Sequence, residues 1–261
     1  MSAKITSINY CPVKSVSFQS VKNCKIKKNI GIIGDRIFAF AKDLDTEQAK
    51  LFEKSPAERK GKWNKILTLK NSPALNKYNF VFKDEKLTLS LKDKKILSID
   101  NNQSDERETL SNKISELEVS LNQPIVLIKN NEFPFFDTSI SNKVNFVNSV
   151  SLLNIKSIKD FQKKIDRNVE NSIFRGNICI EGIEPWKERE WIGKIIKINN
   201  VSFKVEKNIP RCVAINLKPR TDDNSFNLLQ LLKKTYNHFD MGIYLTALEG
   251  GDISIGDHIS F

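Results

Sequence analysis

Short strand-like runs recur along almost the whole sequence, and few stretches carry helical spacing. Lys4–Tyr10 alternates, Val21–Ile26 follows, and Arg36–Ala41 is a compact apolar run after a Gly-Ile-Ile-Gly turn. Ile66–Leu69, Phe80–Phe82, Leu87–Leu91 and Ile96–Ile99 continue the pattern. Beyond Pro124 come Ile125–Ile128, Asn177–Glu181, Lys194–Ile198, Val201–Val205, Val213–Leu217, Ile243–Leu248 and Ile253–Phe261. Asn199-Asn200 separates two alternating runs and reads as a two-residue hairpin turn. Leu110, Ile114, Leu117 and Leu121 give Glu106–Leu121 helical spacing. Ser149–Ile165 reads as a second helix, with Ser149 or Ser151 as its N-cap, and Phe226–Tyr236 as another. Thr46–Asn64 holds a short helix and a loop. The expected fold class is α+β, mainly β, with a barrel-like arrangement. Strands do not alternate with helices around a GxGxxG loop, which disfavours a nicotinamide-type nucleotide fold.

At 261 residues the chain makes one large domain or two small ones. Its 39% hydrophobic and 28% charged residues exclude a disordered or collagen-like chain. No apolar run approaches the roughly 20 residues of a membrane-spanning helix. The opening Met1–Ser7 has no apolar signal core. A cytoplasmic protein with no membrane partner is therefore expected.

The net charge of +11 raises a nucleic-acid reading. The lysines are scattered, however, in small groups such as Lys25, Lys27 and Lys28, or Lys92, Lys94 and Lys95. Without a long basic block or an aromatic–basic signature, a solvated Lys-rich surface is expected, and no nucleic-acid partner. Lysines outnumber arginines 34 to 8, which draws attention to each Arg, because its planar fork binds anions as Lys cannot. Cys11, Cys24, Cys179 and Cys212 form neither a CxxC pair nor a zinc spacing, so reduced thiols are expected.

Four local patterns place cations at strand ends. They are Pro12-Val13-Lys14-Ser15, Gly34-Asp35-Arg36, Phe174-Arg175-Gly176-Asn177 and Pro210-Arg211-Cys212. In a barrel such ends converge on a rim, where Lys14, Arg36, Arg175 and Arg211 would hold a polyanionic ligand. Taken singly, each Arg equally serves to tie down a loop. Cys212 beside Arg211 favours a thiolate, the form that ligates soft metals or attacks electrophiles. A cysteine hydrolase stays open as well, with His238 or His258 as its base.

In their order along the chain these residues resemble the MOSC domain with its N-terminal β-barrel partner, the molybdenum-cofactor group that includes the mitochondrial amidoxime-reducing component. Tyr10-Cys11-Pro12-Val13-Lys14-Ser15 is similar to the family's Tyr-Pro-Val-Lys-Ser opening, and Gly31 to Arg36 to its Gly-Leu-x-x-Asp-Arg step. Phe136-Asp137 and Ser149-Val150-Ser151-Leu152 resemble the approach to its Ala-Ser-Leu helix start. Phe174-Arg175-Gly176-Asn177-Ile178, Pro185-Trp186-Lys187-Glu188 and Trp191-Ile192-Gly193 resemble further family elements. Arg211-Cys212, Gly242-Ile243-Tyr244 and Gly256-Asp257 complete the order. Cys11 stands directly before Pro12, where the family has its aromatic, and reads as a packing residue rather than a second metal ligand.

The resemblance implies an N-terminal β-rich domain over residues 1–122 and a MOSC-like β-barrel domain over 123–261. It implies a molybdenum cofactor (Mo-molybdopterin), with Cys212 as the thiolate on the metal and the catalytic residue. Lys14, Ser15 and Arg36 would contact the pterin and its phosphate. Ser149 and Ser151 would offer donors near a helix start. Arg175 and Asn177 would hold the cofactor from the opposite wall, and Arg211 would flank Cys212. The implied activity is reduction of small N-hydroxylated compounds by a molybdenum oxidoreductase. A non-enzymatic cofactor or sulfur carrier is the alternative. With no Cys-rich segment for an intrinsic iron–sulfur cluster and no pyridoxal-phosphate domain, electrons are expected from a separate protein. That donor would be ferredoxin-like, or cytochrome b5-like with a reductase.

Overall fold

The Asn199-Asn200 dipeptide turns the chain between two antiparallel strands, Ile195–Ile198 and Val201–Pro210, with Ile198 facing Val201 across the turn. The computed structural model, which describes residues 3–121, 123–136 and 149–261, builds outward from such pairings. In chain order the first elements are β1 (Lys4–Tyr10), β2 (Gln19–Val21), β3 (Asn23–Lys27), β4 (Gly31–Ile32), β5 (Phe38–Lys42) and α1 (Thr46–Lys54). They are followed by β6 (Tyr78–Lys83), β7 (Lys86–Leu91), β8 (Lys94–Asp100), α2 (Ser104–Leu117) and β9 (Ile125–Lys129). The later part holds β10 (Val150–Asn154), α3 (Ile155–Lys164), β11 (Ile178–Glu181), β12 (Ile195–Ile198) and β13 (Val201–Pro210). It closes with α4 (Leu228–Tyr236), β14 (Asp240–Ala247), β15 (Gly251–Ser254) and β16 (Ile259–Ser260).

The largest sheet runs β16-β12-β13-β14-β10-β11-β1-β2. It curls until its two ends meet. Ile5 N donates to Asp257 O (2.9 Å), Gly256 N to Ile5 O (2.9 Å) and Ile259 N to Ala3 O (2.8 Å). The result is barrel-like and mainly β. Ile5, Ile8, Val150, Leu152, Ile178, Ile180, Phe203 and Ile243 fill its interior. Full burial of each such side chain stabilises by about 1.5–3 kcal/mol. A second core gathers Val13, Phe38, Phe40, Phe80, Leu87, Leu110, Ile114 and Leu127 beneath the β6-β7-β8 meander and α2.

The two cores do not divide at the boundary expected between 122 and 123. β1 and β2 pair into the barrel-like sheet, and β3 pairs with β15 near the C-terminal end. β9, beyond that boundary, pairs with β5 and sends Leu127 into the second core. The second lobe is thus an excursion of the chain between barrel segments. Pro12-Val13-Lys14-Ser15 and Gly34-Asp35-Arg36 lie where the chain passes from one core to the other.

Three local expectations are corrected. Ser149–Ile165 is not one helix: its first part is β10, buried along its whole length between β11 and β14. A short run of mostly apolar residues suits a central strand as well as a helix, and only its neighbours decide. Ser149 and Ser151 therefore sit at a strand start, not a helix start. Val213–Leu217 is not a strand either, but begins with a 3-10 turn over Val213–Asn216 in which Ile215 N donates to Cys212 O (3.1 Å). Ile66–Leu69 makes only an isolated bridge, Ala41 to Ile66.

The N-cap of α3 is Asn154. Its side chain accepts from Lys156 N (3.0 Å), while its Nδ2 donates to Glu184 O and to Glu188 Oε2, both at 2.9 Å. Ser157 Oγ adds a bond to Glu188 Oε1 (2.8 Å). Burial raises the Glu188 pKa, and these donors oppose the rise. Pro185-Trp186-Lys187-Glu188 is thus a clip that fixes α3, with Trp186 Nε1 on Asp160 Oδ2 (2.8 Å). Asn154→Ala is expected to destabilise by about 2–3 kcal/mol, because it removes a cap and strands a buried carboxyl. Thermal unfolding checks this, and a loss under about 0.5 kcal/mol, the range of a neutral surface change, would count against the clip.

Candidate active site

Three candidate residues take left-handed backbone: Ser15 (φ 62°), Arg36 (φ 55°) and Arg175 (φ 52°). Each costs on the order of 1 kcal/mol for a residue with a Cβ, so its surroundings must hold it. At Arg36 the hold is visible. Its N donates to Cys11 O (2.6 Å) and its carbonyl accepts from Phe135 N (2.8 Å).

Asp35 is fully buried beside it. Its Oδ1 accepts from Cys11 N (2.7 Å), and its Oδ2 accepts from Asn177 Nδ2 (3.1 Å) and from the Arg36 guanidinium. Burial raises the Asp35 pKa, while Arg36 and these hydrogen bonds oppose the rise. Asn177 carries the network into the barrel-like sheet. Its Oδ1 accepts from Ser151 N (3.1 Å) and Ser151 Oγ (2.8 Å), and its own N donates to Ser151 Oγ (2.9 Å). Ser151, Asn177 and Arg36 are therefore joined through one carboxylate.

Arg175 and Arg211 form a second group. Arg175 Nη2 donates to Val16 O (2.7 Å) and lies 3.9 Å from Cys11 Sγ. Arg211 turns its fork inward, donating to Phe174 O (2.7 Å) and, through Nε, to Met241 O (2.9 Å). Burial lowers both guanidinium pKa values, that of Arg211 to about 10, and nearby thiols, Cys212 among them, oppose the fall. Among the described residues neither Arg hydrogen-bonds to a carboxylate; their hydrogen bonds go to neutral carbonyls and a thiol. Two half-buried cations beside a half-buried thiol leave a positive field that an anion would answer.

Glycines set this geometry. A Cβ on Gly176 would stand 2.4 Å from Leu153 Cδ1. One on Gly242 (φ +80°) would stand 2.4 Å from Leu152 O and 3.4 Å from Arg211 Nη2. Their absence lets the Arg175 and Arg211 segments close around Leu153. Cys212 follows Arg211 just past the end of β13, half-buried, at the head of the Val213–Asn216 turn.

Lys14 is placed differently. Its Nζ donates to Phe135 O (2.9 Å) and lies 5.6 Å from the centre of the Trp63 ring, and the side chain is 2% exposed. Lys14 thus supports the Phe135 segment from inside. Ser149 is buried, and its Oγ has no hydrogen-bond partner among the described residues. Asp137 lies outside the described residues. A cavity of about 410 Å³ opens beside the second group, lined by Val16, Phe18, Arg175, Gly176, Cys179 and Ala214 among others. Of the candidate residues it takes in Arg175; Lys14, Arg36, Arg211 and Cys212 are not on its wall. The Phe18 ring faces both Arg175 (5.0 Å) and Arg36 (5.9 Å).

Sequence reasoning passed over Asp35 and Phe18 as site residues. Asp35 was legible as the acid in Gly34-Asp35-Arg36, but its burial was not. Phe18 carries no signal in sequence. His238, held open as a hydrolase base, takes Asp240 N on Nδ1 (3.1 Å) and places Nε2 3.2 Å from Arg189 Nη1, contacts that do not involve Cys212.

Residues 142–260 match the family model of the MOSC domain. The chain carries a MOSC domain. Arg175, Asn177, Arg211 and Cys212 lie inside the matched residues, whereas β1 and β2 complete the sheet of the MOSC domain from outside them. Over 116 residues the chain is 31% identical to the molybdenum cofactor sulfurase of Bombyx mori, covering 41% of this chain. It spans only 13% of that protein's length. Among solved structures it is similar to the YUAD protein of Bacillus subtilis (TM-score 0.45, 10% identity, 99% of this chain and 94% of that one). It is also similar to YiiM of Geobacillus stearothermophilus (TM-score 0.35, 15% identity, 42% of this chain and 52% of that one). A MOSC domain associates this chain with the molybdenum cofactor. No described helix is long and apolar enough to cross a membrane.

Proposed function

We propose that this protein binds the molybdenum cofactor and reduces small N-hydroxylated compounds with electrons from a separate donor protein. The observation that carries the reading is the pair of half-buried arginines, Arg175 and Arg211, beside the half-buried Cys212 thiol, their hydrogen bonds going to backbone carbonyls and a thiol among the described residues.

The residues fit such a group. Among the described residues no cluster of three or more His, Cys, Asp or Glu is placed to hold a bare metal ion. A single thiolate suits a metal that arrives with its other soft ligands already attached. The cavity of about 410 Å³ lies within the size range of small-molecule sites. Arg175 supplies charge on its wall, and the Arg36–Asp35–Asn177–Ser151 network braces the chain behind it. When bound, the cofactor supplies two-electron removal of oxygen from an N–O bond. Cys212 would hold the metal, and Arg175 and Phe18 would line the neighbouring cavity. Cytoplasmic placement belongs to the same proposal.

A second reading is a carrier or sulfuration module for the cofactor, favoured by the 31% identity to a molybdenum cofactor sulfurase. Protein made in cofactor-competent cells separates the two. The reductase should hold molybdenum by elemental analysis and turn over benzamidoxime with a viologen dye. It should be inactive with NADH or NADPH alone. A loaded protein inactive with the dye supports the carrier, and turnover with NADH and no second protein would remove the need for a donor.

A further inference from the structure

We propose that Asp35 is a positioning residue of the anion site, a buried carboxylate that holds Arg36 and Asn177 in register across the junction of the two cores. The inference rests on the reading that Arg36 serves a bound anion, with Asn177, itself fully enclosed, bracing it through Asp35. Asp35 itself is fully enclosed, so it cannot touch a ligand in the cavity.

The geometry argues for this role over simple packing. Asp35 sends one oxygen to each side. Oδ1 takes the backbone N of Cys11, the residue that leads into Pro12-Val13-Lys14. Oδ2 takes Asn177 Nδ2 and the Arg36 guanidinium. Cys11 and Arg36 come from the crossing segments, Asn177 from the start of β11. Asn177 passes the constraint on to Ser151 at the start of β10. A carboxylate accepts all these bonds at once, because both its oxygens only accept. An amide in its place would turn a donor toward either the Cys11 N–H or the Asn177 and Arg36 donors.

Charge alone predicts the opposite of positioning. Removing the Asp35 charge makes the surroundings of Arg36 more positive, and a more positive site would bind an anion more tightly. If Asp35 acts by fixing its neighbours, binding instead weakens, because the freed guanidinium and amide must be reordered when the ligand arrives. The sign of the change therefore decides between the two.

The test uses the full chain made without cofactor, titrated with inorganic pyrophosphate by calorimetry well below its unfolding temperature. Asp35→Asn should weaken pyrophosphate binding by roughly tenfold, about 1.4 kcal/mol. In an Asn177→Ala background the same change should have a much smaller effect, since the residue acts through Asn177. Asp35→Glu keeps the charge and both acceptors and should recover part of the affinity. It also carries the comparison should Asp35→Asn fail to fold. Tighter or unchanged binding by Asp35→Asn, or by Asp35→Glu if that is the folded variant, overturns the proposal. Wild-type protein that takes up no pyrophosphate, or Arg36→Ala binding as well as wild type, overturns the anion-site reading beneath it.

Discussion

Cys212→Ser is expected to lower reductase activity by more than about 100-fold, the upper end of what loss of an outer-shell partner costs at a metal site. The change replaces a soft sulfur by a hard, protonated oxygen, and a soft metal centre loses its protein ligand. Cys212 stands at the head of a turn and is half-buried, so the substitution leaves the two cores untouched. Loaded wild-type protein should show a metal–thiolate absorption that Cys212→Ser lacks, with an unchanged unfolding temperature. Cys11→Ser, Cys24→Ser and Cys179→Ser should keep that absorption. Cys11 is buried with its Sγ on Val13 O (2.7 Å), and burial raises the pKa of Cys11, Cys24 and Cys179. Raised values favour the thiol, the form a metal does not take. Equal absorption in wild type and Cys212→Ser would sink the assignment, and with it the reductase.

The strands were legible because alternation is a local signal. β1 runs over Lys4–Tyr10, as its alternating residues predict, and the Asn199-Asn200 turn lies between β12 and β13. The errors fall where a local signal is ambiguous. Val150–Asn154 is short and buried throughout, and its status as a strand depends on β11 and β14, which lie far away in sequence. The division at 122 came with the family resemblance. The real organisation is set by β1 and β2 joining a sheet whose other members begin at Val150.

The strand-end cations were legible as residues, not as a site. Arg175, Arg211 and Cys212 are close enough to act on one another electrostatically, and Arg36 is tied to Asn177 through Asp35. Lys14 instead faces Phe135 O, for an ammonium at a strand end reaches whichever carbonyl the fold provides. Motif spacing marks which residues recur; it does not say whether they face a ligand or brace the chain. Glu188 and Trp186 show the second case, since both fix α3.

Gly242→Ala should destabilise the protein by about 3 kcal/mol or more, lowering the unfolding temperature by roughly 10 °C. Two costs combine. The residue has φ +80°, a backbone region that penalises any Cβ, and the new methyl would stand 2.4 Å from Leu152 O and 2.6 Å from Leu153 Cδ2. A backbone carbonyl cannot move aside as a flexible side-chain end can, because β10 pairs with β14 through this stretch, Leu152 facing Ile243. Gly193→Ala separates the costs: its φ is +82°, yet nothing lies within 4 Å of the added methyl. That variant should lose only the backbone share, about 1–2 kcal/mol. The difference between the two reports the clash that keeps β14 against β10. It should reach the site as well, since Met241 O, the acceptor for Arg211 Nε, immediately precedes Gly242. Molybdenum retention should therefore fall in Gly242→Ala at temperatures where the protein is still folded, and stay unchanged in Gly193→Ala. Equal unfolding temperatures for the two variants would mean that β10 and β14 yield freely there. The close approach at Leu153 would then not be what aims the Arg211 fork at Phe174 O and Met241 O.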